Sequence, residues 1–372
     1  MRVETYLWPP SCFFMIHFHL LQVIKIVRET DDCVVISLSV PPELKDVFTY
    51  KQGQNITIRR NIKGAEVRRN YSICTSPSDE DLKVAVKQVS GGLFSTYANN
   101  DLKEDEFLEV MPPTGNFYTE LDPSQQKNYI AFAAGSGITP ILSIIKTTLE
   151  TESQSNFTLI YGNRTKNSII FKEELQALKD KYLHRFSLIH ILSREAMDSP
   201  LNSGRIDKEK CGLLFSKLTN MRSIDEYFLC GPEEMVFCVK DFLEENGVPK
   251  TNVHFELFTV PGENKTMAET KQLATYTGDR GQITVRLDGI SFSFELGYDE
   301  ESILDAALDA GADLPYACKG GVCTTCKARL KEGRVEMTNN WGLDDEEIEK
   351  GFVLTCQSHP LTKRVVIDFD DR

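Results

Sequence analysis

At 372 residues, with 41% hydrophobic and 26% charged content, the chain has room for two or three globular domains, each able to bury its own core. A formal charge of −13 argues against nucleic acid as a partner, because phosphate recognition needs a basic surface. Ten cysteines at irregular spacing, with no cleavable signal ahead of them, predict a reducing cytoplasmic setting rather than a secreted disulfide framework.

Residues 1–15 read as an N-terminal extension. The stretch 6–16 is apolar, but Pro9 and Pro10 interrupt it and His17 and His19 follow. It is too short and broken for a membrane span, and Met15 is an alternative start. From 16 to 120 the chain turns to short β-rich runs at 20–27, 34–40, 55–58 and 82–89. The last of these alternates apolar and polar residues, as a half-buried strand does. Many short strands and few helices predict a small antiparallel β-barrel.

Two groups of residues in the barrel segment suit a nucleotide cofactor. Arg69 and Tyr71, in the run Arg69, Asn70, Tyr71, Ser72, share one face of a strand by period-2 geometry. They offer a cation for phosphate beside a flat ring for stacking, although a four-residue run of this kind is usually ordinary strand packing. Gly91 and Gly92 lead through Leu93, Phe94 and Ser95 into a helix start, where exposed N–H groups suit a pyrophosphate. Alone, such a glycine pair is usually a turn.

Residues 121–260 read as an α/β domain. A continuous apolar strand at 128–134 runs into Gly135, Ser136, Gly137, Ile138, Thr139 and Pro140, and then into a helical stretch at 141–149. Strand, glycine turn and helix open a nucleotide-binding unit, although G-x-G-x-T-P does not meet the G-x-G-x-x-G fingerprint. Strands at 157–162, 186–192 and 226–232, with a helix at 171–183, predict a parallel doubly wound sheet. Cys230, Gly231 and Pro232 fall at a strand's C-terminal end, where such sheets bind ligands. The plainer reading is a buried cysteine before a helix-starting proline. Arg164, Ser193, Arg194 and Arg205 follow successive strands. Guanidinium forks suit a dianionic 2′-phosphate, and Asn163 and Arg164 stand where an acidic residue would favour NADH. The pattern therefore favours NADPH, with NADH as the alternative.

Residues 261–281 are polar and poor in large apolar side chains, and read as a flexible linker spanning roughly 25 Å. Residues 282–372 form the last domain, with strands at 283–287, 292–296 and 365–369 and a helix at 301–310 that Gly311 stops. This segment holds eighteen acidic and ten basic residues, and so carries −8 of the net −13. Such a surface suits docking on a basic protein, though a solvated acidic face explains it equally well. Here lie Cys318, Cys323 and Cys326, with Cys356 thirty residues on. C-x4-C-x2-C with a distant fourth thiol is the ligand spacing of a plant-type 2Fe–2S cluster. Zinc is the rival, but zinc ribbons usually pair two short knuckles and only one is present.

Taken together, these motifs resemble the ferredoxin–NADP reductase superfamily, in the branch that carries a C-terminal plant-type ferredoxin domain. The resemblance covers nearly all of the chain after Ile16. It implies three domains: an antiparallel flavin barrel, an α/β parallel-sheet nicotinamide domain and an α+β ferredoxin domain. It also implies roles. Arg69 would meet the flavin phosphates, Tyr71 stack on the isoalloxazine and Ser72 bond near N5, with Gly92, Leu93, Phe94 and Ser95 forming the phosphate turn. Lys87, within the alternating strand, joins the cofactor-binding set. Gly135, Gly137, Thr139, Pro140, Cys230, Gly231 and Pro232 would hold the nicotinamide, and Glu256 would stand near the flavin. Ser72, Cys230 and Glu256 are the catalytic candidates. Thr324 fits the family's slot for a small residue after the second cysteine.

The function implied is an NAD(P)H-dependent reductase passing electrons from NADPH through FAD and the 2Fe–2S cluster to an oxygenase or other acceptor protein. FAD is favoured over FMN because the turn at Gly92 resembles that of FAD members. Flavin is needed because a nicotinamide releases two electrons as hydride while a cluster accepts one at a time. The alternatives are the reductase of a Rieske-type dioxygenase, a free-standing NAD(P)H:acceptor reductase, and a metal-binding interaction module on a degenerate reductase. No membrane or nucleic-acid partner is expected, and a monomer is compatible with the sequence.

Overall fold

The protein is described here by a computed structural model covering residues 17–197, 199–218, 221–258 and 280–371. The expected N-terminal extension lies outside the described residues, as does the linker up to residue 279.

The first module is a six-stranded antiparallel barrel. Its strands are His19–Thr30 (β1), Cys33–Ser39 (β2), Asn55–Ile62 (β3), Ala65–Ser72 (β4), Leu82–Lys87 (β5) and Phe107–Val110 (β6), in the order β4-β3-β6-β1-β2-β5. A bridge between Ile73 and Val84 ties the two ends of that order together. Alternation fills the interior: Val34, Ile36 and Leu38 of β2 point inward, with Val84 and Val86 of β5 beside them. The other face of β2 is buried too, because Cys33 and Val35 pack on the second module. A helix at Leu93–Asn100 (α1) plugs the barrel with Phe94, which is fully buried.

The second module is a five-stranded parallel sheet of Asn128–Ala134 (β7), Asn156–Asn163 (β8), Phe186–Leu192 (β9), Glu226–Gly231 (β10) and Val253–Leu257 (β11). Their order is β11-β10-β7-β8-β9. The apolar run of β7 is continuous because both its faces are covered. Tyr129, Ala131 and Ala133 pack toward Ile138–Thr151 (α2) and Lys172–Lys181 (α3), while Ile130 and Phe132 pack toward Lys208–Lys217 (α4) and Glu233–Glu245 (α5). The chain starts at the centre, winds outward through β8 and β9, and returns to the other side at β10. The direction therefore switches between β7 and β10, the place where such sheets open a ligand crevice. Helix α2 begins three residues before the expected 141, since Pro140 falls within its first turn, where its missing N–H is harmless.

The third module follows the expected α+β pattern. Gly281–Leu287 (β12) and Ile290–Leu296 (β13) form a hairpin whose turn residues Asp288 and Gly289 both have positive φ. This is the primed turn that matches strand twist. Lys327–Glu332 (β14), Val335–Met337 (β15), Phe352–Leu354 (β16), Ser358–Pro360 (β17) and Arg364–Asp368 (β18) complete it, with the main sheet ordered β13-β12-β18-β14-β16. Helix Ile303–Asp309 (α6) is capped by Ser302 and stopped by Gly311 at φ +90°. Strands β14 to β17 are absent from the sequence expectation. Three of them, β15, β16 and β17, have three residues each, too few for a periodic signal.

Candidate active site

The outer face of the β3–β4 hairpin organises the site. Its register pairs Asn55 with Ser72, Thr57 with Asn70 and Arg59 with Arg68. At the first rung, Ser72 Oγ donates to Glu256 Oε2 at 2.8 Å and Asn55 Nδ2 donates to Oε1 at 3.3 Å. Glu256 belongs to β11 and stands opposite Cys230 of β10. The three catalytic candidates, far apart in sequence, thus meet where barrel and parallel sheet join. Asn55 is the addition that sequence reading missed, because an Asn opening a strand carries no motif.

Glu256 retains some residue surface, but its carboxyl group lies deep among protein atoms. Burial pushes that carboxyl up to about 7, against the opposing pull of hydrogen bonds from Ser72 and Asn55. As pH rises, the unfolded chain gives up this proton first. Stability linked to Glu256 is intact below about 4.5 and falls progressively until the folded carboxyl has itself ionised, near 7. Glu256→Gln is expected to remove this fall. Melting temperatures measured from pH 4.5 to 8 should decline less in the variant, and an equal decline in both proteins would assign the dependence elsewhere.

At the sheet's switch point, β10 and the glycine turn touch through backbone. A Cβ on Gly137 would lie 2.2 Å from the Cys230 carbonyl oxygen, so only glycine permits this approach. Gly135 and Gly231 have φ of +55° and +159°. Thr139 Oγ1 donates to the Ser136 carbonyl at 3.0 Å, and Pro140 is buried behind it. The Cys230 side chain is fully buried, and its thiol is pushed well above the ordinary range by burial and then by Glu256. Pro232 caps α5.

The arginines singled out from sequence make no ion pair among the described residues, in a protein of charge −13. Arg69 donates only to the Arg68 carbonyl, at 2.7 Å. Arg164, Arg194 and Arg205 are exposed, and the Arg194 N–H donates to the Arg164 carbonyl at 2.9 Å, setting these two side by side. Ser193 Oγ donates to the Asn163 carbonyl. Gly92 is the N-cap of α1 and receives no side-chain cap. A Cβ there would meet the Ser95 hydroxyl at 2.5 Å, which accepts from the Val89 N–H at 3.1 Å, so the turn calls for glycine, and the N–H groups opening α1 suit a pyrophosphate. Two members of the predicted set point elsewhere. Lys87 is paired with Asp32 at 3.6 Å, and Phe94 packs in the core 5.5 Å from the Tyr71 ring, leaving only its backbone at the turn. Leu93 is 43% exposed.

The four thiols of Cys318, Cys323, Cys326 and Cys356 converge as free cysteines, and only Cys318 retains appreciable surface. They crowd one another. Cys318 is held well below the ordinary thiol range by hydrogen bonds from Cys323 and Cys356, which are themselves pushed well above it by that same contact with Cys318. Four thiols so close cannot all ionise without a cation at their centre, which is the chemistry of a metal–thiolate cage. Among the described residues no three His, Cys, Asp or Glu side chains are arranged for a single metal ion. The loop is tight: Lys319, Gly321 and Thr324 all take positive φ, at 52°, 76° and 56°. For a β-branched threonine that is strained backbone, held here by its burial beside Cys323. Thr325, one residue on, reaches the barrel, its Oγ1 lying 3.2 Å from Thr57 Oγ1. A cavity of about 680 Å³ opens where the three modules meet, lined by Asn55, Glu256, Val322, Thr324 and Trp341 among others.

A dinucleotide crevice and a four-thiol cage joined through one barrel define an oxidoreductase built for electron transfer. The chain matches three domain families: an oxidoreductase FAD-binding domain over residues 20–118, an oxidoreductase NAD-binding domain over 132–241, and a 2Fe–2S iron–sulfur cluster binding domain over 285–361. A subunit of the 1,2-phenylacetyl-CoA epoxidase of Escherichia coli (strain K12) is 46% identical over 356 residues, covering 96% of this chain and 99% of that protein. The ferredoxin reductase component of 3-ketosteroid-9-alpha-monooxygenase from Rhodococcus rhodochrous is 34% identical, covering 94% of this chain and 96% of its own. Among solved structures, phthalate dioxygenase reductase aligns with a TM-score of 0.58 at 24% identity, over 95% of this chain and 98% of that one, and shares the fold. The chain belongs to the ferredoxin-reductase-type NAD(P)H oxidoreductases that carry FAD and a C-terminal 2Fe–2S domain.

Proposed function

We propose that this protein is the reductase component of a multicomponent oxygenase, and that the oxygenase it serves is the ring-1,2-phenylacetyl-CoA epoxidase. The observation that carries the electron route is the β3–β4 hairpin, which touches Glu256 of the nicotinamide module through Ser72 and Asn55 and the cluster loop through Thr57. The acceptor is argued from the E. coli epoxidase protein, whose 46% identity runs end to end. A different monooxygenase is the second reading, favoured by the 34% identity to the Rhodococcus protein. Rates of NADPH oxidation on adding purified epoxidase and its CoA thioester substrate decide between them. Substrate-dependent turnover supports the first reading, and its absence with an active oxygenase refutes it.

In this reading the domains are 16–120, 121–260 and 282–372. Bound FAD supplies the conversion of a two-electron hydride into single electrons. Arg69 and the turn at Gly92, Leu93, Phe94 and Ser95 hold its phosphates, Tyr71 covers the ring, and Ser72 orients it under Glu256. Gly135, Gly137, Thr139 and Gly231 leave room for the nicotinamide at the switch point. Cys318, Cys323, Cys326 and Cys356 hold the cluster. No helix among the described residues is long and apolar enough to cross a membrane, and we place the protein in the cytoplasm.

NADPH is the donor in this reading, because Arg164, Arg194 and Arg205 offer exposed guanidinium groups beyond β8 and β9 that make no ion pair among the described residues. Arg194→Ala is expected to raise KM for NADPH by about tenfold or more, the scale of one charge-assisted bond, with little change for NADH. Equal losses with both donors would sink the 2′-phosphate assignment.

A further inference from the structure

The hairpin that brings Ser72 to Glu256 also carries, two rungs along, an arginine with no role in holding cofactor. Arg68 has a side chain only 5% exposed. Its guanidinium donates to the Leu314 carbonyl at 3.1 Å and the Asp313 carboxylate at 3.0 Å, and lies 4.2 Å from the Tyr316 ring centre and 5.2 Å from that of Phe18. Asp313, Leu314 and Tyr316 are some 245 residues away in sequence and lead directly into Cys318. By strand alternation Arg68 points away from Arg69 and Tyr71 and shares its face with Ser72, so the face that meets Glu256 at one rung grips the cluster module at another. Between the two lies the Thr57–Asn70 rung, where Thr57 meets Thr325.

We propose that Arg68 is a positioning residue for electron transfer, clamping the segment that leads into Cys318 against the flavin-bearing strand while the cluster is charged. The inference rests on the electron route proposed above. With both groups bound, FAD would supply electrons singly and the cluster would accept them one at a time, while Arg68 itself makes and breaks no covalent bond. Three features make this a clamp rather than general cement. The cation reaches across a module boundary into a segment of net negative charge, as its ring and carboxylate partners require. Its grip falls on the loop entry itself. And Glu66, on the same strand, also pairs with Arg68 at 2.8 Å, so the guanidinium would keep a counter-ion if its contact with the cluster module opened.

Stopped-flow mixing of the anaerobic holoprotein with NADPH, followed at flavin and cluster wavelengths, tests this together with amide hydrogen exchange of residues 311–326. Arg68→Gln is expected to leave flavin bleaching unchanged, to slow cluster bleaching by about tenfold or more, and to raise exchange in that segment without loss of flavin or iron. Arg68→Lys, which keeps the charge without the fork, should fall between the two. Asp313→Asn, on an exposed carboxylate across the boundary, should show the same signature more weakly and covers the case in which Arg68→Gln fails to fold. Wild-type cluster bleaching and exchange in Arg68→Lys and Asp313→Asn would overturn the clamp. Absence of cluster bleaching in the wild-type protein would instead defeat the proposed electron route, and the exchange data alone would then decide whether Arg68 holds the loop.

Discussion

Cys323→Ser is expected to abolish one-electron output while hydride uptake continues. Cys323 is 4% exposed and sits in the tightest part of the loop, between the left-handed Lys319 and Thr324. A serine hydroxyl there is a hard, weakly acidic donor in place of a thiolate, so the soft iron–sulfur core would lose one of the four anchors proposed for it. The purified variant should lose iron and the broad visible shoulder while keeping its flavin bands. With NADPH, flavin bleaching and ferricyanide reduction should persist, and cytochrome c reduction should drop to background. Unchanged cytochrome c reduction would count against the cluster as the exit for electrons. Because the loop also docks on Thr57, a modest loss of thermal stability is expected as well.

Gly137→Ala is expected to block the other end of the route. The added Cβ would sit 2.2 Å from the Cys230 carbonyl oxygen, 2.4 Å from its carbon and 2.7 Å from the Gly231 nitrogen. These are backbone atoms of a central strand and cannot rotate aside, so the turn must retreat from β10 and the switch-point crevice changes shape. A displacement near 1 Å at reacting groups is worth about a hundredfold in rate. Flavin reduction by NADPH and by NADH should therefore both fall on that scale, while chemical reduction of the flavin still reaches the cluster at the normal rate. Gly135→Ala is the control. That position has φ +55° with nothing near the added Cβ, so it carries only backbone strain of about 1–2 kcal/mol and a smaller kinetic effect. Nicotinamide-driven rates for Gly137→Ala within twofold of wild type would remove the crevice from the site.

What sequence made visible here is chemistry confined to short stretches of chain. The thiols at 318, 323 and 326 share one loop, the run from Arg69 to Ser72 lies on one strand, and the glycines at 135 and 137 belong to one turn. In each, spacing along the backbone sets spacing in space, so residue order alone already limits the ligand. The same locality explains the success with β7, whose unbroken apolar run announces a strand covered on both faces, and the failure with β15 and β17, three residues each, which exist through pairing with each other.

The modules themselves, their order and the three-thiol loop proposed to hold the cluster were therefore legible in the sequence alone, since each depends on near neighbours. Asn55, Thr57, Arg68 and Thr325 were decided only in the tertiary structure. They are ordinary polar residues until the β3–β4 register puts the first three on one face and the other two modules close over it, bringing Thr325 to Thr57. Glu256 shows the difference most plainly. Resemblance nominated it, but its shift toward 7 comes from burial among barrel and sheet residues. Ser72 and Asn55, which bind it, stand 184 and 201 residues away. Desolvation and hydrogen bonding depend on what surrounds a group in space, and no local spacing encodes that.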